Sequence, residues 1–163
     1  EFAALISEPG SPRQPVHPDS PFQEHIPLLT CFVSLQAIRP SMGPTVFLPG
    51  THRAAAHAKF DALAPGVPGR LDSRDAFLST SPSVEAILNS GDASLFDSRT
   101  LHCGGANKAA ADNDGDGGGG ATRAIFYLSF RNPRAAFEMG NVGSITREVY
   151  DKAYTLGELR RRL

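Results

Sequence analysis

"RAIFYLSF", residues 123–130, decides the fold class. It is a short apolar run, rich in aromatic and aliphatic side chains and opened by one charge, which reads as a β-strand rather than a helix. Working outward, "FAALIS" (2–7) and "PLLTCFVSLQAI" (27–38) are runs of the same kind, bounded by Pro, Gly and Ser. "PTVFLPG" (44–50) closes on a Pro-Gly turn, and "ASLFDS" (93–98) follows a Gly91-Asp92 turn. Helices are fewer. "AAAHAKFDAL" (54–63) is alanine-rich, Ser81-Pro82 has the chemistry to start a short helix through Leu88, and Thr155-Leu-Gly-Glu158 has capping-box spacing for a terminal helix. The pattern is mainly β and antiparallel with peripheral helices, not an alternating βαβ unit.

The chain has 163 residues, read as a single domain that buries roughly 68–70% of its unfolded surface. Forty per cent of residues are hydrophobic and 20% are charged, and 16 basic against 17 acidic residues give a net charge of −1. That balance offers no broad basic field for nucleic acid or an anionic membrane. The one basic cluster, Arg160-Arg161-Arg162, reads as a solvated helix end. Cys31 and Cys103 are too few for a disulfide framework, which points to an intracellular, reducing compartment, cytoplasmic or organellar. No run reaches the ~18 apolar residues of a membrane span, and no signal-peptide pattern is present. The chain opens on Glu1-Phe2 rather than methionine, which leaves room for a preceding segment.

"AAADNDGDGGGG" (109–120) is a low-complexity insert, expected as a flexible surface loop. Its Asp112-Asn-Asp114-Gly-Asp116 imitates the start of a calcium loop. The required twelfth-position glutamate is replaced by Arg123, so calcium is rejected.

The chemistry-bearing residues begin in "SPRQPVHPDSPFQ" (11–23). Side chains two apart on an extended segment share a face, so His17 and Asp19 can reach one point in space. A third ligand is available in "DSRTLHCGGAN", where His102 follows a strand-like run. Two histidines and a carboxylate make the facial triad of non-haem Fe(II) oxygenases, with positions left open. Alone, His-x-Asp is more often surface turn chemistry. His-Pro-Asp also marks J-domain cochaperones, but the strand-like, proline-rich flanks here exclude that reading. His25, His52 and His57 lack a carboxylate at ligand spacing and are assigned to surface or satisfied polar positions. Cys103 reads as a small buried residue rather than a ligand.

The order of elements adds specificity. "RQPVHPD" is followed by a long strand, "MGPTVFLPGTHR", a Gly-Asp turn with "ASLFD", then "LHCGGAN" and "RAIFYLSF". This ordered set, from about Ala4 to Asn132, resembles the phytanoyl-CoA dioxygenase family of Fe(II)/2-oxoglutarate-dependent oxygenases. The resemblance implies a double-stranded β-helix, or jelly roll, with His17, Asp19 and His102 on the iron and Arg123 paired with the far carboxylate of 2-oxoglutarate. It further implies O2 as cosubstrate and hydroxylation of an unactivated C–H bond in a small-molecule or lipid substrate, since Asp19 fills the position that halogenases leave for chloride. Gln14, Thr30 and Asn107 are polar candidates around the pocket. Without the resemblance, Arg123 could equally be a strand-end arginine facing outward.

Two departures stand against the family pattern. The Gly/Asp insert lengthens the gap between His102 and Arg123, at an entropic cost of only ~0.6 kcal/mol per doubling of loop length. Only 16 residues precede His17, where family members carry a sizeable region, so the jelly roll is expected either to lack its N-terminal portion or to be completed otherwise. That second departure keeps an alternative open: a catalytically silent jelly-roll binding module that retains the metal motif. A cupin-like metal enzyme without 2-oxoglutarate is a third reading. The stretch 57–77 is expected either to choose the substrate or merely to connect.

Overall fold

The computed structural model describes residues 2–63, 73–108 and 121–135. The 109–120 insert, the C-terminal helix expected from Thr155, and residues 64–72 of the 57–77 stretch lie outside them. Among the described residues, seven strands form two antiparallel sheets. β1 (Phe2–Ser7), β7 (Arg123–Arg131), β2 (Leu28–Ser34) and β5 (Ala93–Asp97) make the larger, in that spatial order. β4 (Val84–Glu85), β3 (Thr45–Phe47) and β6 (His102–Gly104) make the smaller. Two α-helices, α1 (Ala54–Asp61) and α2 (Ala76–Thr80), are found among the described residues, and the architecture is a mainly β jelly roll.

Strand alternation puts the core between the sheets. On β2, Leu28, Thr30, Phe32 and Ser34 are buried while the residues between them are less so. Phe32, Ile38 and Ile125 form the inner cluster, with Phe47, Leu88, Phe96 and Tyr127 packed on it. A second cluster, Val16, Leu48, Phe60, Leu101 and Cys103, lies where α1 and α2 cover the outside of the smaller sheet.

The structure corrects the sequence reading in three places. Residues 81–88 are not a helix. Pro82 ends α2 rather than starting a new helix, because the residue before a proline is driven out of the helical region; Ser81 is extended at φ −115°, ψ 148°. The chain then pairs with β3 as β4, Glu85 opposite Val46. The long run 27–38 stops pairing at Ser34, and Ile38 instead turns into the core. In 44–50 only Thr45–Phe47 is strand. Leu48 bonds to the Leu101 carbonyl, and the chain turns at Gly50, whose φ is +85°.

Candidate metal centre

The segment 14–17 runs beside β6 as an extra, irregular strand. Gln14 N–H donates to the Gly104 carbonyl at 2.9 Å, and His17 and His102 exchange both backbone hydrogen bonds at 2.9 Å. Antiparallel pairing thus places the two imidazoles side by side, centroids 4.6 Å apart. Asp19, two residues on, shares their face. One ligand atom each from His17, Asp19 and His102 lie within 4.8 Å of one another.

The ring orientations are fixed. His17 Nδ1 lies 2.8 Å from the Pro15 carbonyl, and His102 Nδ1 lies 2.9 Å from that of Thr100. A carbonyl only accepts, so each Nδ1 carries a proton, which leaves Nε2 of each ring as the nitrogen available to a metal. Asp19 Oδ1 is 3.4 Å from His102 Nε2, and Thr30 Oγ1 donates to Asp19 Oδ2 at 3.3 Å. Burial pushes the His17 imidazole below its usual pKa, and His102 beside it adds to the effect. Burial alone would raise the Asp19 carboxyl, but hydrogen bonds and positive charge from His102, with smaller contributions from His17 and Thr30, hold it below its usual range. A divalent metal requires a neutral imidazole and an ionised carboxylate, and the lowered pKa values of His17 and Asp19 both favour those forms.

The three residues open into a cavity of about 470 Å³. Arg123 lines it too, 8% exposed, with its Nη1 buried and without a hydrogen-bond partner among the described residues. Burial lowers its pKa, as expected for a cation in a dry site, yet the group stays charged at any relevant pH. Between Arg123 and His102 the wall is main chain. A Cβ on Gly104 would fall 2.8 Å from Gln14 Oε1 and 3.3 Å from Arg123 Nη2. Behind it, Gly43 (φ +66°) lies so close that a Cβ there would run into the Gly105 carbonyl and the Ala106 backbone.

The other sequence candidates divide. Gln14 lines the cavity, and its Oε1 accepts the Gly104 N–H at 2.8 Å. Thr30 lines it as well. Asn107 is not among the lining residues. It is 2% exposed and ties the ends of two strands, donating to the carbonyls of Ser7 (2.8 Å) and Ala121 (3.0 Å). His57 is buried with Nε2 2.7 Å from the Arg99 carbonyl, Cys103 is buried on the opposite side of β6 from the cavity, and His25 is exposed. The described parts of 57–77 do not line the cavity. Tyr127 and Ser129 do, unforeseen. Stepping by two along β7 from Arg123 would have found both.

A family model described as Phytanoyl-CoA dioxygenase (PhyH) matches residues 2–112, and the chain belongs to that family. The matched span holds His17, Asp19 and His102 and ends before Arg123. No curated protein matches. Among solved structures, AviO1 from Streptomyces viridochromogenes Tue57 superposes with a TM-score of 0.57 at 20% identity, over 82% of this chain and 50% of that one. The non-heme alpha ketoglutarate dependent carbocyclase SnoK from nogalamycin biosynthesis gives 0.55 at 20% identity, over 79% and 47%. HygX from Streptomyces hygroscopicus, solved with nickel and 2-oxoglutarate bound, gives 0.52 at 14% identity, over 80% and 56%. The likeness is one of fold, and this chain spans about half the length of these structures. No helix among the described residues is long and apolar enough to cross a membrane.

Proposed function

We propose that the chain carries the active centre of an Fe(II)- and 2-oxoglutarate-dependent oxygenase acting on a small molecule. His17, Asp19 and His102 are its iron ligands, and Arg123 anchors the far carboxylate of 2-oxoglutarate. The observation that carries this reading is the unpartnered guanidinium of Arg123 in the same cavity as the triad. An uncompensated buried charge is costly, and a carboxylate is its natural planar, bidentate partner. Nitrogen and oxygen donors suit Fe(II), and the soft Cys103 thiol is turned away.

When bound, iron and 2-oxoglutarate would supply the oxidising power for attack on a C–H bond. The chain's own residues orient and enclose. The Pro15 and Thr100 carbonyls hold the two imidazoles, and Thr30 holds Asp19. Leu28, Phe32 and Ile125 dry the walls. A cavity of about 470 Å³ is of small-molecule size. Hydroxylation is the outcome we favour, because Asp19 occupies the third ligand position.

Anaerobic titration of Fe(II) and 2-oxoglutarate, followed by the weak visible charge-transfer band, tests the reading. The wild type is expected to develop the band. Arg123→Ala should need at least about 30-fold more 2-oxoglutarate, the factor for losing ~2 kcal/mol of buried charge pairing. A folded wild-type protein that gives no band would sink the oxygenase reading and leave the silent binding module.

A further inference from the structure

The three ligand candidates are not held alike. His17 and His102 are joined by two main-chain hydrogen bonds, whereas Asp19 follows Pro18, which offers no N–H to any pairing. A second fastening lies just past Asp19. Ser20 N–H donates to the Ser98 carbonyl at 3.1 Å, and the Ser20 and Ser98 hydroxyls meet at 2.7 Å. Both residues are buried, 1% and 0% exposed. Ser98 N–H in turn donates to the Leu28 carbonyl at 3.1 Å, at the head of β2. Beside it, Arg99 Nη1 reaches the carbonyls of Gln23 (2.6 Å) and Glu24 (3.2 Å). The segment that carries Asp19 is thus clasped to the segment that leads into His102.

The clasp does not continue the His17–His102 pairing in register. From His17 to Ser20 there are three steps along the chain, but from Ser98 to His102 there are four. The extra residue is absorbed in the turn that Thr100 N–H closes on the Asp97 carbonyl at 2.8 Å, and the same turn presents the Thr100 carbonyl to His102 Nδ1. An extra residue on one side of a pairing re-aims the side chains beside it. A slip by one residue would carry Asp19 to the opposite face, away from His102 Nε2, which its Oδ1 now approaches at 3.4 Å. We propose that the buried Ser20–Ser98 pair is a positioning element of the metal centre. It fixes which way Asp19 faces and how far its carboxylate stands from His102, and so sets the affinity and coordination geometry of the ion. The inference rests on the assignment of His17, Asp19 and His102 as ligands.

Co(II), a redox-stable divalent ion whose visible spectrum reports its coordination geometry, is the probe. It would be titrated into the full-length wild type, Ser20→Ala and the double variant Ser20→Ala/Ser98→Ala, with urea unfolding of each metal-free protein alongside. The double variant leaves neither hydroxyl stranded, so its urea midpoint should stay near that of the wild type. Its Co(II) affinity should fall about 10–100-fold, the usual loss when a ligand's support is removed, and its Co(II) spectrum should change. Ser20→Ala keeps the main-chain bond to Ser98 and should change the spectrum in the same direction, which decides the matter if the double variant does not fold. Wild-type affinity and spectrum in the folded variants would overturn the proposal and leave the triad standing. Weaker binding with an unaltered spectrum and a lowered urea midpoint would mean a general loosening, and would overturn it too. A wild type that takes up no Co(II) would instead remove the ligand assignment, and this inference with it.

Discussion

His17 and His102 are joined through their backbones, not through their rings. Each donates its N–H to the other's carbonyl at 2.9 Å, and each ring is separately tethered to a carbonyl two residues upstream. The spacing of the two imidazoles is therefore a property of strand pairing. It exists before any metal arrives, so an ion entering the site has little ordering entropy left to overcome.

That preorganisation has a pH signature. His17 must be neutral to offer Nε2, and burial, reinforced by His102, holds its pKa below the ordinary 6.5. The His17 ring signals, followed by NMR in the metal-free protein, should titrate below that value. A midpoint at or above that value would contradict the depressed imidazole. In the metal-free protein the same group weakens the fold on acidification: between the folded and unfolded pKa values the unfolded chain holds more protons, so stability falls as pH drops.

Thr30 supports a ligand without touching the metal position. Replacing Thr30 by Val keeps the shape of this buried residue but removes the hydroxyl that donates to Asp19 Oδ2. Loss of such a supporting partner typically lowers metal affinity by about 10–100-fold. The urea midpoint should move far less than the affinity. Unchanged Fe(II) binding in Thr30→Val would show that Asp19 needs no such restraint.

Gly104→Ala addresses the cosubstrate side alone. The added Cβ would fall 2.8 Å from Gln14 Oε1 and 3.3 Å from Arg123 Nη2, so Gln14 must withdraw and Arg123 must shift. The expected outcome is about tenfold weaker 2-oxoglutarate binding in the charge-transfer titration, the equivalent of one hydrogen bond. Fe(II) binding without 2-oxoglutarate should be unchanged. Equal weakening of both would place the disturbance at the triad instead.

A pair remote from the cavity governs acid stability. Arg99 Nη2 lies 2.6 Å from Asp97 Oδ2, with side chains 8% and 14% exposed. Burial alone would raise the Asp97 carboxyl, but hydrogen bonds from Arg99 more than offset this and hold it below its usual value. Its stabilisation is present above the unfolded pKa and lost as pH falls through the folded one. Asp97→Ala should cost about 1–3 kcal/mol near neutral pH, because Arg99 loses its carboxylate partner and keeps only the Gln23 and Glu24 carbonyls. It should also flatten the acid limb of stability in urea titrations.

Strands with a continuous apolar signal were legible in the sequence. The readings at 2–7 and 123–130 coincide with β1 and β7 to within a residue, and 54–63 contains α1. β6 escaped because three residues, one of them glycine, carry no period to read. The helix expected at 81–88 failed because Pro82 suits a first helical turn in isolation, whereas tertiary pairing with β3 was available. In the candidate site, the same-face rule anticipated that His17 and Asp19 would converge. The tethers at Pro15 and Thr100 were invisible, since main-chain carbonyls leave no trace in a sequence. Asn107 was a pocket candidate because the family resemblance puts an asparagine after the distal histidine, but its amide ties strand ends together.

The glycine wall leaves the cavity with one rigid side and one adjustable side. Around Gly104 and Gly105 the boundary is backbone; a Cβ on Gly105 or on Gly43 behind it would meet main chain, whereas one on Gly104 would meet only the ends of Gln14 and Arg123. The opposite boundary is built from Leu5, Ile125, Tyr127 and Ser129, whose volumes and polarity can change one at a time. Retuning toward a different molecule, natural or engineered, therefore falls to the side chains that β1, β2 and β7 turn into the cavity, while the backbone of β6 changes little.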